Sequence, residues 1–262
     1  MRERIPILGE LIGRYYEWLE QTLLKKSDHI VLITDGFQPI MEKWGISITE
    51  TTVIPNWAPI ENLSPKPKDN QWSREHQLTD QFCFMYTGTL GMKHNPGLLV
   101  DLAVQYQNKE QVIVVVISEG PGAEWLQKEK QEKGLENLIL FPYQPFDRLP
   151  LVMGTADVLL ALLEPDAGVF SVPSKVLSYL CAQRPILLAV PRENLAAQIV
   201  ESNLVGFVVP PNDNELFIKN SIKLFEDKEL RDKCAKNGRV YAERNFDIDQ
   251  ITDKFEKIFN NL

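Results

Sequence analysis

The sequence predicts an α/β protein with a Rossmann-like, doubly wound parallel sheet, preceded by part of a second domain. Three observations carry that expectation. From residue 82 onward, six short apolar runs alternate with stretches of helical periodicity. The runs are continuous and rich in β-branched residues, "VIVVVIS" (112–118) most clearly, as expected of strands buried on both faces. The joins after the runs carry Gly, Pro or Ser, the residues that turn a chain from strand into helix.

In chain order, "FCFMYTGT" (82–89) reads as the first strand of the main domain and "NPGLLVDLAVQYQ" (95–107) as a helix with Pro96 in its first turn. "VIVVVIS" follows, then helix "GAEWLQKEKQEKG" (122–134), strand "LILFPY" (138–143), helix "FDRLPLVMGTA" (146–156) and strand "VLLALL" (158–163). Helix "PSKVLSYLCAQ" (173–183) and strand "PILLAV" (185–190) come next, then helix "LAAQIVES" (195–202) and strand "GFVVPP" (206–211). Three helices close the chain, with Asp213 and Asp247 expected to cap the first and last. Ahead of residue 57 lie a helix (8–27), strand "HIVLITD", a short helix "GFQPIMEKW" and strand "TTVIPN", too few for an independent sheet. The Pro- and charge-rich stretch after them reads as a linker. The expected division is residues 1–56, a partial domain; 57–80, a linker; and 81–262, the complete domain with its C-terminal helices.

Composition narrows the function classes. The 262 residues suffice for a substantial core, and a net charge of −8 argues against a general nucleic-acid surface while leaving room for one basic pocket. Cys83, Cys181 and Cys234 are far apart and form no CxxC pair, so structural thiols in a reducing cytoplasm are expected, with no disulfide framework and no zinc. Three histidines make a His-rich metal centre improbable, and no apolar run approaches the roughly 20 residues of a membrane span. "LIGRYYEWLEQTLLKK" mixes aromatic and basic residues in the manner of an interfacial helix, although packing on its own domain is the reading preferred.

Ligands of open parallel sheets bind beyond the carboxyl ends of the strands, so the loops there carry the chemistry. "YTGTLGMKHNPG" offers Gly88 and Gly91 for close backbone approach to a phosphate, with Lys93 and His94 before the helix. Alone this loop is weak, because strand–turn–Gly–helix is common for steric reasons, and a lone histidine is more often a capping residue than a catalyst. In "SEGPG" the glycines suffice for a tight turn, and Tyr143 in "PYQP" would either stack on a base or cover a sheet edge. Glu164 and Asp166 form an acidic pair read as a solvated loop in preference to an acid/base couple. Ser174 and Lys175 open a helix whose dipole disfavours a cation there, unless an anion sits opposite. Two such loops from neighbouring strands, each with Gly or Ser and a Lys, converge on an anion site, and that convergence exceeds what either loop offers.

The motifs "YTGTLGMKHNPGLLVDLA", "SEGPG", "LILFPYQP", "ADVLLALL", "FSVPSKVLSYLCAQRPILL" and "GFVVPPND", in this order, resemble the C-terminal half of glycosyltransferase family 4 enzymes with the GT-B fold. The likeness is to the branch that makes colanic-acid, capsule and O-antigen-like polysaccharides. "KKSDHIVLITDGFQPIMEKWGISITETTVIPNWAP" is similar to the end of the family's N-terminal, acceptor-side domain, so the resemblance covers nearly the whole chain. It implies a cytoplasmic, retaining, metal-independent glycosyltransferase without a cofactor. Its partners would be a nucleotide-sugar donor and a glycan or lipid-linked acceptor, with peripheral contact at the inner membrane face in prospect. By resemblance, Gly88, Thr89, Lys93 or His94, Ser174 and Lys175 surround the donor diphosphate, and Pro142, Tyr143 and Ser178 face the base and ribose.

The chain also departs from the family pattern. Ser178 and Phe170 stand where many members carry the two glutamates of E-x7-E, Gln183 where glycine is usual, and Thr89 in place of a common arginine. Only about the last fifty-five residues of an N-terminal domain are recognisable, so the acceptor site is expected on a partner subunit, on a second copy, or on a longer parent chain. No residue is assigned a catalytic role, and no metal site is expected. The rival readings are a donor-binding or assembly subunit without catalysis, an inactive remnant, and a nucleotide-sugar epimerase of the same architecture.

Overall fold

The structure is a computed structural model that describes residues 6–165, 168 and 173–261, so Asp166 and Phe170 lie outside the described residues. It separates into two compact units, one of residues up to Pro55 together with Asp249 onward, the other Asn56–Ile248. The first contains α1 (Pro6–Leu24), β1 (Ile30–Leu32), α2 (Gln38–Lys43) and β2 (Thr51–Val53). β1 and β2 pair in parallel over a small core of Ile30, Leu32, Met41 and Ile46.

In the larger unit the chain runs α3 (Gln71–Glu75), β3 (Phe82–Thr87), α4 (Gly97–Tyr106), β4 (Val112–Ile117), α5 (Pro121–Lys133) and β5 (Leu138–Phe141). It continues α6 (Leu149–Thr155), β6 (Val158–Leu162), α7 (Ser174–Cys181), β7 (Ile186–Ala189), α8 (Leu195–Ser202) and β8 (Gly206–Val209). α9 (Asn214–Glu226), α10 (Lys228–Asn245) and α11 (Ile248–Phe259) follow, and all of α11 but its first residue belongs to the smaller unit. The expected cap Asp213 accepts a hydrogen bond from the Leu216 amide at 2.9 Å.

All six strands of the larger unit pair in parallel in the order β5-β4-β3-β6-β7-β8, the doubly wound arrangement expected from the alternation of elements. Successive strand residues face opposite sides, and both sides are covered. Met85, Val115, Leu159 and Leu188 meet α6, α7 and α8, whereas Phe84, Val114, Leu160 and Leu187 meet α4, α5 and α9. That two-sided burial is why the strands read as unbroken apolar runs.

The sequence-expected boundaries differ from the observed units at two places. Much of the stretch read as a linker is folded onto the larger unit: Trp72 is fully buried, Leu63 and Leu78 nearly so, all in one sheet-face core. The Asn70 side chain caps α3 by accepting from the Trp72 and Ser73 amides (2.9 and 3.2 Å) and donates to the Leu151 carbonyl on α6 at 3.0 Å. The last helix, expected with the C-terminal domain, groups with the N-terminal segment.

Arg184, immediately before β7, accounts for the Arg-Pro that follows the α7 sequence. Its guanidinium donates to the carbonyls of Ala156 and Gly154 (both 2.6 Å), Lys66 (2.9 Å) and Gln183 (2.9 Å). It ties the starts of β6 and β7 to the 60s segment and is therefore structural.

Candidate functional site

The sheet reverses its winding between β3 and β6, and a cleft of about 500 Å³ opens at their carboxyl ends. α7 forms one wall. Its apolar positions Val176, Leu177, Tyr179 and Leu180 bury against the sheet, which leaves Ser174, Lys175 and Ser178 on the cleft side. Tyr179, fully buried, fixes the helix to the end of β3: its hydroxyl accepts from the Thr87 amide at 2.9 Å and lies 3.2 Å from the Thr87 carbonyl. Burial holds this phenol up at about 12, so it acts as an uncharged pin.

Opposite α7, Gly88 adopts φ +110°, a conformation that side chains rarely take, and turns the chain off β3. The Lys175 stem passes over this turn, its Cε 3.5 Å from where a Gly88 Cβ would stand. Lys175 Nζ reaches the Tyr86 hydroxyl, lies 3.4 Å from the Thr89 carbonyl and sits 3.9 Å from the centre of the Tyr86 ring. Burial lowers its pKa to about 7 and raises that of Tyr86. The loop is held from below by α5: the Gly122 amide donates to the Leu90 carbonyl at 3.1 Å, and a Cβ on Gly122 would stand 2.3 Å from that oxygen. The second glycine of "SEGPG" is therefore required by close approach, beyond the turn expected of it.

The third wall is the loop after β5. Tyr143 is 45% exposed at the rim, its amide donating to a Glu119 carboxylate oxygen (3.1 Å) and its hydroxyl to Thr89 Oγ1 (3.3 Å). Gln144 is fixed at both ends of its amide, accepting from the Trp72 indole at 3.1 Å and donating to the Pro142 carbonyl at 3.0 Å.

Of the residues singled out from sequence, Gly88, Thr89, His94, Tyr143, Ser174, Lys175 and Ser178 line this one cleft. Two stand differently. Lys93 does not line the cleft and pairs with Glu164 at 2.7 Å, whereas its neighbour His94 lines it. Pro142 shapes the loop through its carbonyl and does not line the cleft. The Gly91 amide donates to His94 Nδ1 at 3.1 Å, so the neutral ring carries its proton on Nε2, which faces Glu164 Oε2 at 3.3 Å. Burial, with Lys175 and Lys93 nearby, lowers the His94 pKa. Glu164 is thus a counter-ion of the glycine loop, where a solvated loop had been expected. Sequence reading missed Tyr86, Tyr179 and Gln144, which look like ordinary core or loop residues until the chain is folded. Among the described residues no cluster of His, Cys, Asp or Glu could hold a metal ion.

The sequence profile described as Glycosyl transferases group 1 matches residues 68–241, from the α3 region to α10. The chain belongs to this family. Within the family it is similar over 251 residues, at 22% identity, to WcaI of Escherichia coli K12, provisionally named a colanic acid biosynthesis glycosyl transferase; the match covers 94% of this chain and 60% of WcaI. The curated relatives matched are spanned over 48–62% of their length. Among solved structures, HepE of Anabaena in complex with UDP superposes with a TM-score of 0.77 at 17% identity, covering 92% of this chain and 68% of HepE. Sucrose-phosphate synthase of Thermosynechococcus elongatus does so with a TM-score of 0.71 at 16% identity, over 93% and 60%. The fold of this group 1 chain is that of GT-B glycosyltransferases, as the order of motifs implied.

Proposed function

We propose that the cleft holds the diphosphate of a nucleotide-sugar and that the chain is the donor-binding part of a retaining, metal-independent glycosyltransferase of cell-surface polysaccharide synthesis. The observation that carries this reading is the convergence of the Gly88 turn, the α7 N-terminus and Lys175 on one crevice in a chain of this family. Complexes of HepE with UDP and with UDP-glucose support it.

In this reading the partial positive charge of the α7 N-terminus and Lys175 stabilise the charge that develops on the leaving diphosphate, the work a metal does in other transferases. Backbone amides at the Gly88 turn approach the phosphates where no Cβ intervenes. Tyr143 stacks on the base, and Ser178 offers the ribose a hydroxyl where many family members use a carboxylate. Lys93 joins the diphosphate only on leaving Glu164. The acceptor, a glycan or lipid-linked sugar, binds outside this cleft. Residues 1–56 belong to an acceptor-side domain, whose remainder is supplied by a longer chain, a partner subunit or a second copy. Action at the cytoplasmic face of the membrane follows from such an acceptor; no helix among the described residues is long and apolar enough to cross a membrane.

The test is a calorimetric and thermal-shift screen of the chain against UDP-, GDP-, TDP- and ADP-sugars. One nucleotide should stabilise the protein by mass action, and Lys175→Ala should reduce the shift. Stabilisation by none of them would sink the reading and leave a structural subunit or an inactive remnant.

A further inference from the structure

Lys175 has an unusual set of partners for a cation. Its nitrogen faces two acceptors, the Tyr86 hydroxyl and the Thr89 carbonyl, and both are uncharged. The Tyr86 hydroxyl has one hydrogen, already committed to the same Thr89 carbonyl at 2.6 Å, so it can only accept from the lysine. A neutral amine has two N–H groups and matches this pair of acceptors. An ammonium has three; the face of the Tyr86 ring, its centre 3.9 Å from the nitrogen, and the open cleft are its remaining neighbours, and no carboxylate pairs with it among the described residues. The nearby titratable groups do not supply a counter-charge: Tyr86 on β3 and Tyr179 on α7 stay neutral, and Tyr143 after β5 bonds Thr89. After β3, Lys93 adds positive charge and His94 stands neutral, and both face Glu164, the carboxylate close by after β6 among the described residues.

We infer that Lys175 is a neutral amine in the empty cleft and takes a proton from solvent when an anionic diphosphate enters, which couples donor binding to proton uptake. The inference rests on the donor-site reading and specifies how that site is charged. The proton moves from water or buffer to Nζ, whose lone pair accepts it, and the diphosphate becomes the anionic partner that the ammonium lacks. The free amine sits poised for this, since burial brings its pKa to about 7. Donor affinity then falls as pH rises through that value, because above it the protein must acquire the proton in order to bind.

The experiment is isothermal titration of the whole chain with UDP-glucose, GDP-mannose, TDP-glucose and ADP-glucose at pH 6 and 8.5, in buffers of different ionisation enthalpy. A nucleotide-sugar diphosphate has no ionisation of its own in this range. For the donor that binds, close to one proton should be taken up at pH 8.5 and little at pH 6, with affinity roughly thirtyfold weaker at the higher pH. Lys175→Arg, whose guanidinium stays charged, should bind at pH 8.5 without uptake. Binding of equal strength at both pH values with no uptake would overturn the inference and leave the donor site standing, as would uptake that persists in Lys175→Arg. Binding of none of the four at pH 6 would overturn the donor reading itself, and this inference with it.

Discussion

Lysine in the first turn of a helix works against the helix dipole, and Lys175 shows what such a placement can be for. Its stem crosses a glycine turn, its head rests on an aromatic ring, and the open side of that head is the cleft. If the head meets a diphosphate, Lys175→Ala should weaken donor binding by about 1.5–3 kcal/mol, roughly ten- to a hundredfold, the range for hydrogen bonds to charged groups. The same titrations read this directly, and a change under twofold would remove Lys175 from the site. Gln183 makes a separate case. It ends α7 at φ +55°, the left-handed conformation that glycine takes freely and other residues at a cost of about 1–2 kcal/mol. Relief of that strain, less the extra freedom glycine gives the unfolded chain, should make Gln183→Gly more stable by about 0.5–1 kcal/mol in urea unfolding. A loss of stability would show that the Gln183 side chain contributes more than its backbone costs.

At the scale of elements, the decisive features are those that fix loops to neighbouring layers. Trp72 anchors α3 against the sheet-face core and donates from its indole to Gln144 in the cleft wall, so it serves stability and the cleft together. Trp72→Ala should destabilise the larger unit by about 3–5 kcal/mol, read as a lower urea midpoint, and loosen the loop that carries Tyr143. Gly122→Ala should cost on the order of 1–3 kcal/mol, because the new methyl meets the Leu90 carbonyl and pushes the glycine loop off α5. Unchanged stability in either variant would mean that the element is less constrained than its contacts require. The strands and the central helices were legible in the sequence because two-sided burial leaves long apolar runs with little ambiguity. α3 was not: "DNQWSREH" is short and polar apart from one tryptophan, and its burial comes from a cap at Asn70 and contacts more than eighty residues away. The glycine loop was legible as a loop, but the pairing of both Lys93 and His94 with Glu164, a partner 71 residues distant from Lys93, was not. Pairwise contacts of that reach leave no local pattern.

For the whole molecule, the two compact units have very different means of holding together. The larger unit buries both faces of a six-stranded sheet, with strand residues such as Phe84, Val115 and Leu160 wholly inaccessible. The smaller has, among the described residues, a two-stranded sheet over a cluster of Ile30, Leu32, Met41 and Ile46, each still 4–7% exposed. Hydrophobic stabilisation scales with apolar area removed from water, at about 25 cal/mol per Å², and a two-stranded sheet is marginal alone. Local opening should therefore be far cheaper in β1 and β2 than in β3 and β4. In hydrogen exchange, the amides of Ile54 and of strands β1 and β2 should exchange through low-energy openings, whereas those of β3, β4 and β6 should approach the global unfolding limit. A saturating nucleotide-sugar should add protection to Gly88, Thr87 and the start of α7 through mass action and leave β1 and β2 unchanged, since the cleft is built wholly from the larger unit. Equal protection of both strand sets without ligand would show that the smaller unit draws stability from more than its own core. Ligand-induced protection of β1 and β2 would show that the donor cleft and that unit act as one cooperative body.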